Sequence, residues 1–212
     1  MNLQTLPGLF ISHGSPMLAL NPEQVGPALQ RLSLNLPKPQ AIIVMSAHWE
    51  SNSLEVSTSV RAETWHDFRG FPAELYDIRY PAPGQPELAE EILHLLANAG
   101  LAAHANSTRP RDHGVWMPLL HMYPDADIPV VEISLPMNWP AEDIYKIGQT
   151  LAPLREKQVL IIGSGSITHN LAELAWRGEP TEVPVWASSF RNYVVSKLAH
   201  QIYDAVLDWQ TI

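Results

Sequence analysis

The chain has no cysteine in 212 residues. Disulfides, thiolate-bound metals and cysteine nucleophiles are therefore excluded. Positive charge is scarce: 13 basic against 22 acidic residues leave a formal net charge of −9. Nucleic acids and anionic membranes both call for a basic surface, so neither is an expected partner. Long apolar runs are missing too, and none reaches the roughly 18 residues that read as a membrane span. The opening MNLQTLPGLFISHGSP shows no basic leader before a long apolar core. No signal peptide is expected, and the cytoplasm is the default compartment. Internal repeats, low-complexity tracts and Ser/Gly linkers are absent, so the expectation is one domain over 1–212.

Histidine and proline are plentiful, at 9 and 19 residues, within a composition that is 46% hydrophobic. That composition is enough for one large core. Without cysteine, metal chemistry would rest on imidazole and carboxylate, which suits zinc, iron(II) or manganese.

Short apolar runs at 8–12, 41–46, 129–135 and 159–163 read as strands. The second is apolar throughout, as expected of a strand covered on both faces. Weaker strands are expected at 54–59 and 101–106. Helices are expected over 22–34, 86–99, 114–122, 141–154 and, as one long helix, 185–209. The clearest is 86–99: Pro86 opens it, Glu87, Glu90 and Glu91 suit its positive end, and Gly100 stops it. Residues 61–84, rich in aromatics, glycine and proline, read as an ordered loop with a short strand or helical turn. Strands alternating with helices predict an α/β fold, a central mixed or parallel sheet flanked by helices.

Three apolar strands lead into histidines: LFIS into His13, IIVMS into His48, and VLIIGSGSIT into His169. Ligands in open α/β sheets bind beyond the carboxyl ends of the strands, so parallel strands would bring these imidazoles together. Gly14 and Pro16 would hold a tight turn after His13, and Gly163 and Gly165 a bend before His169. Imidazole is the commonest neutral metal ligand. Asp112-His113 is a fourth candidate, with Asp112 either orienting an imidazole or capping the following helix. His66 reads as a packed loop residue, His121 as packing, and His94, His104 and His200 carry no expected role. Arg69 and Arg111 lie near these motifs and could meet a substrate carboxylate, but read as surface-solvated. GSGSIT is neither a dinucleotide fingerprint nor a hydrolase nucleophile turn, and no phosphate loop is present.

Five segments occur in order: FISHGSPM, VMSAHW, HDFRGFPAELYDIRYPAPG, RDHGVWMPLLHMYPDADIPVVEISL and IIGSGSITHNL. Together they resemble the class III extradiol ring-cleavage dioxygenases, in the 4,5-DOPA dioxygenase-like branch related to the catalytic subunit of protocatechuate 4,5-dioxygenase. The resemblance implies one α/β domain holding one divalent non-haem metal per chain. Iron(II) would serve catalysis, and zinc is sometimes bound in relatives. It implies a catechol substrate, opened beside its diol with both atoms of O2 inserted; a homo-oligomer is compatible with the sequence, which does not itself fix the oligomeric state. It implies His13 and His48 as metal ligands, His169 as a third ligand or an acid/base group, and His113 as a catalytic residue facing substrate or dioxygen. Members are expected to continue into a Pro-rich segment with Glu-His that supplies a further ligand. The 212 residues end at AVLDWQTI without it, so the chain reads as the catalytic domain lacking that C-terminal segment. Two other functions fit the same histidines: a zinc-dependent hydrolase and an inactive metal-binding scaffold.

Overall fold

The computed structural model describes residues 4–168, 170 and 182–209. The chain divides into two compact units, Met1–Gly165 and Ser166–Ile212. In the first, the elements run β1 (Gly8–Ser12), α1 (Val25–Leu34), β2 (Ala41–Ser51), β3 (Leu54–Ser57), α2 (Ala73–Asp77), α3 (Pro86–Asn98), β4 (Ala103–Asn106), α4 (His113–Met122), β5 (Val130–Pro136), α5 (Ala141–Leu151) and β6 (Val159–Gly165). The strands form one six-stranded sheet in the order β1-β6-β2-β5-β3-β4. Every pairing is parallel except β3 with β5. The α/β class and the mixed central sheet flanked by helices stand as expected.

Alternation along the strands explains why the central runs are apolar throughout. Ile42, Val44, Val130, Leu160 and Ile162 point to one face, where they pack with Leu29 of α1 and with Val115, Trp116 and Leu119 of α4. Ile43, Val131, Ile133 and Val159 point to the other, against Leu88, Ile92 and Leu96 of α3 and Ile147 and Leu151 of α5. A strand covered on both sides has no polar face to show. Filling either face costs side-chain entropy, which the burial offsets at roughly 1.5–3 kcal/mol per large aliphatic residue.

Several boundaries differ from expectation for local reasons. α1 starts at Val25, three residues late, because Glu23 adopts φ 44. α5 stops at Leu151 and the chain tightens into a 3-10 turn over Ala152–Lys157, since Pro153 has no N–H to continue the α-helical ladder. α3 closes as predicted on Gly100, at φ 76, with Gly100 N donating to Ala97 O and Leu101 N to Leu96 O. That is the Schellman pattern. β2 runs on through His48 and Trp49 to Ser51, so the two residues lie within an irregular strand and do not follow it.

The second unit contains α6 (Val185–Ala199) and α7 (Asp204–Leu207) where one long helix is predicted. The break is another Schellman closure: Gln201 N donates to Leu198 O and Ile202 N to Lys197 O, with Gln201 at φ 57. A glutamine at that position gives no warning in the sequence. Among the described residues no helix is long and apolar enough to cross a membrane.

Candidate metal centre

The parallel core of the sheet sets the stage. β1 delivers His13 at its carboxyl end, immediately before Gly14, whose φ of 67 turns the chain sharply. A side chain at Gly14 would strike Leu18, so both conformation and space demand glycine there. Pro16 then opens a 3-10 turn capped by Ser15. β2 delivers His48 from the stretch where its pairing to β5 slips between Met45 and Glu50. α4 delivers His113 as its first residue, behind the cap made by Asp112, whose carboxylate accepts from Gly114 N.

His13, His48 and His113 form one cluster, with nitrogens within 4.8 Å of one another that could hold a metal ion. His13 and His113 are buried and His48 is half-buried. Hydrogen bonds assign the ring nitrogens. Ser164 Oγ donates its only proton to the Gly114 carbonyl, so it accepts from His13 Nδ1, 2.9 Å away. His113 Nδ1 donates to Asp67 Oδ1 at 2.8 Å, and the same oxygen takes His113 N at 3.0 Å. His48 Nδ1 faces the other oxygen, Asp67 Oδ2, at 3.5 Å. Burial works against charge on Asp67. The hydrogen bonds and charge of His113, with the charge of His48, outweigh it and hold the carboxyl below its ordinary value.

His13 and His113 each donate Nδ1–H on the protein side, which turns their Nε2 lone pairs inward, while His48 Nδ1 faces Asp67 Oδ2. His13 Nε2 and His48 Nε2 lie 2.9 Å apart. Two imidazole nitrogens bound at right angles to a metal at 2.0–2.1 Å would be separated by about 2.9 Å. That contact is a hydrogen bond where His48 Nε2 carries the proton, and a shared metal would take that proton's place between the two nitrogens. The donor set therefore fits a divalent metal.

The Gly114 carbonyl is available to Ser164 for a reason written in the sequence. In α4 it would accept from residue 118, but that residue is Pro118, which has no N–H. Pro118 thereby couples α4 to β6 and, through Ser164, to the tautomer of His13.

The other candidates fall elsewhere. His169 lies outside the described residues. His66 bonds Ile78 O at 3.1 Å and makes edge or tilted ring contacts with Phe68, Tyr76 and Trp116, a packed loop residue as expected. His121 ties α4 to Leu18 O. His94, His104, His200 and Arg69 are exposed. Asp112 is the helix cap and not the residue that orients an imidazole; Asp67 does that, and sequence reasoning passed over it. Arg111 is not solvated. It is 1% exposed, its Nε donating to Glu132 Oε1 at 3.1 Å and its Nη1 to Ala82 O at 2.9 Å. Its backbone also pairs with Glu63 and Trp65, which fixes the loop carrying Asp67 to the start of α4.

The family described as the catalytic LigB subunit of aromatic ring-opening dioxygenase matches residues 7–212. The chain belongs to the LigB family. A 4,5-DOPA dioxygenase extradiol of Escherichia coli (strain K12) is 41% identical over 201 residues, spanning 95% of this chain and 73% of that protein. Its counterpart of the same name from Beta vulgaris is 42% identical over 209 residues, spanning 95% and 76%. The crystal structure of an uncharacterized protein from Escherichia coli K12 superposes with a TM-score of 0.75 at 35% identity, covering 91% of this chain and 72% of that one. As a LigB-family member the chain is an aromatic ring-opening dioxygenase, as its motifs imply. Its reactants are a small aromatic molecule and dioxygen.

Proposed function

We propose that this LigB-family chain opens a DOPA-like catechol beside its diol, with His13 and His48 holding iron(II) and His113 acting as the acid/base residue. The single observation carrying the metal assignment is the pair of Nε2 atoms 2.9 Å apart, with His13 Nδ1 bonded to Ser164 and His48 Nδ1 facing Asp67. The substrate class is supported by relatives that carry the name 4,5-DOPA dioxygenase extradiol. Iron(II) in the site would supply the electron exchange between catechol and dioxygen that zinc, with no redox chemistry, cannot. No external reductant is required, because the ring supplies the electrons and both oxygen atoms enter the product.

The protein side of the reaction falls to three groups. Asp67 accepts a hydrogen bond from His113 Nδ1–H and so leaves Nε2 to accept a hydroxyl proton from the catechol. Histidine suits this task because imidazole exchanges protons near neutrality. The Phe68 ring stands edge-on to His113 at 5.6 Å and continues into Phe71, Tyr76 and Trp116, an apolar wall for an aromatic ring and a barrier to water.

The test is anaerobic reconstitution with iron(II), then oxygen uptake on adding DOPA or caffeate, with the yellow ring-opened product followed by absorbance. One O2 consumed per catechol is expected from the iron form and none from the zinc form. Full iron occupancy without uptake on either catechol would refute the reading. His13→Ala and His48→Ala should each lose the metal; stoichiometric metal in both would remove them as ligands.

A further inference from the structure

The route by which β2 presents His48 points to a residue outside the histidine cluster. β2 pairs in register with β6 only through Ser46, and its pairing with β5 resumes only at Glu50. From Met45 to Glu50 the chain advances five residues while β5 advances two, from Ile133 to Leu135. The His48 peptide therefore sits in an expanded bulge where the regular ladder is broken, and bulges re-aim side chains at the cost of backbone partners. Side chains take over both of its polar groups. His48 N donates to Ser46 Oγ at 3.2 Å, and Arg109 Nη2 donates to His48 O at 2.9 Å.

Both substitutes end on one buried carboxylate. Ser46 Oγ donates to Asp112 Oδ1 at 2.7 Å, and Arg109 Nη2 reaches Asp112 Oδ2 at 3.2 Å. Asp112 is also the cap of α4, so the same group that steadies the His48 peptide starts the helix carrying His113. The Arg109 guanidinium is itself held between two indoles, its Cζ 4.7 Å from the Trp65 centroid and 5.2 Å from that of Trp49. Its backbone N is bonded to Asn106 Oδ1 at 2.9 Å. A planar fork stacked this way can place two N–H bonds on two fixed acceptors, which a flexible ammonium cannot do without leaving the stack.

We infer that Arg109 is a positioning residue for the metal centre: it clamps the His48 peptide to Asp112 and so sets the aim of His48 relative to His113. The inference rests on the metal centre proposed above. Its prediction differs from that of a packing role, because removing the fork should change how the metal is held while the fold persists. Arg109→Met keeps an apolar stem between Trp49 and Trp65 and removes both bonds.

The experiment is cobalt(II) titration of the full chain, wild type and Arg109→Met, with visible absorption reporting coordination and urea unfolding reporting the fold. Loss of a supporting bond to a ligand typically lowers metal affinity 10–100-fold. A shift of roughly that size in the cobalt dissociation constant, with an altered visible band, is expected; the urea midpoint of the metal-free protein should fall, because buried Asp112 loses its charged partner, while the transition stays cooperative. Arg109→Lys, which keeps the charge, should recover only part of the affinity. An Arg109→Met protein with wild-type affinity and band would overturn the clamp. If that variant does not fold, Arg109→Lys decides by the same criterion. Failure of the wild type to bind cobalt would overturn the metal reading itself, whereas a wild type that binds while the variants match it overturns the clamp alone.

Discussion

Asp67→Asn is the sharpest perturbation of the centre. The carboxylate takes His113 Nδ1 at 2.8 Å and His113 N at 3.0 Å on one oxygen, and faces His48 Nδ1 at 3.5 Å with the other. Asparagine keeps the shape and one acceptor, so the backbone bond at the start of α4 survives. It loses the charge, and with its oxygen on His113 its NH2 group would stand opposite His48 Nδ1 in place of a carboxylate oxygen. Hydrogen bonds to charged groups contribute about 1.5–3 kcal/mol, against about 0.5–1.5 for neutral ones. Losing that margin and one ring contact amounts to about 1.5–3 kcal/mol, or about 10–100-fold in metal affinity or turnover. The assay is oxygen uptake by iron-reconstituted protein with DOPA as substrate, beside cobalt titration for affinity. An Asp67→Asn protein that folds and retains both within threefold would refute the claim that this carboxylate orients the imidazoles. Acid sensitivity gives a second reading. The carboxyl is held below its ordinary value in the fold, so it stabilises the protein above an unfolded value of about 3.9, and that contribution fades as pH falls through the lower folded value. The wild type should therefore lose more stability than Asp67→Asn on acidification through this window.

Three other outcomes follow from the same geometry. A Cβ on Gly114 would lie 2.4 Å from Ser46 Oγ and 3.1 Å from His48 Cδ2, so Gly114→Ala should push α4 from β2 and weaken cobalt binding about 10-fold or more; unchanged binding would show that the contact gives way. Burial pushes Glu132 up to about 8 against the pull of Arg111, so the folded state keeps a proton that the unfolded chain releases near 4.5. Stability from this group is full below that unfolded value and is lost as pH rises through about 8. Urea midpoints at several pH values should fall across this window in the wild type and stay flatter in Glu132→Gln; parallel profiles would count against the assignment. His169→Ala separates the two roles implied by family resemblance. Lost metal marks a ligand, retained metal with lost turnover marks an acid/base group, and retention of both removes His169 from the site.

Much of the frame was legible because its causes are local. The double-sided strands show as unbroken apolar runs, and α3 shows its proline start and glycine stop within a few residues. α6 ends by the same hydrogen-bond pattern as α3, yet with Gln201 in the glycine position, and there periodicity alone predicts a longer helix. The bulge in β2 was hidden for a similar reason. An apolar strand continuing into Ala47-His48-Trp49 looks like a strand that has ended, because the bonds holding it are made by Ser46 and by Arg109, 61 residues away from His48. Arg111 looks like a surface arginine until β5 brings Glu132 beneath it. One cue was present and unused: Pro118 inside a helix frees a carbonyl at Gly114 that some other donor must satisfy.

Sequence by itself determined the layered α/β frame, the absence of thiol chemistry and the set of imidazoles from which a site is drawn. These follow from side-chain volume, polarity and backbone freedom, properties each residue carries wherever it is placed. Tertiary structure decided which nitrogen of each ring faces inward and which carboxylate serves them. Ser164 lies 151 residues from His13, and Asp67 lies 46 from His113. A tautomer is set by a partner's lone pair or proton within about 3 Å; over such separations the pairing of β1 with β6 beneath α4 brings Ser164 to His13, and the bridge from Arg111 to the 63–65 loop brings Asp67 to His113.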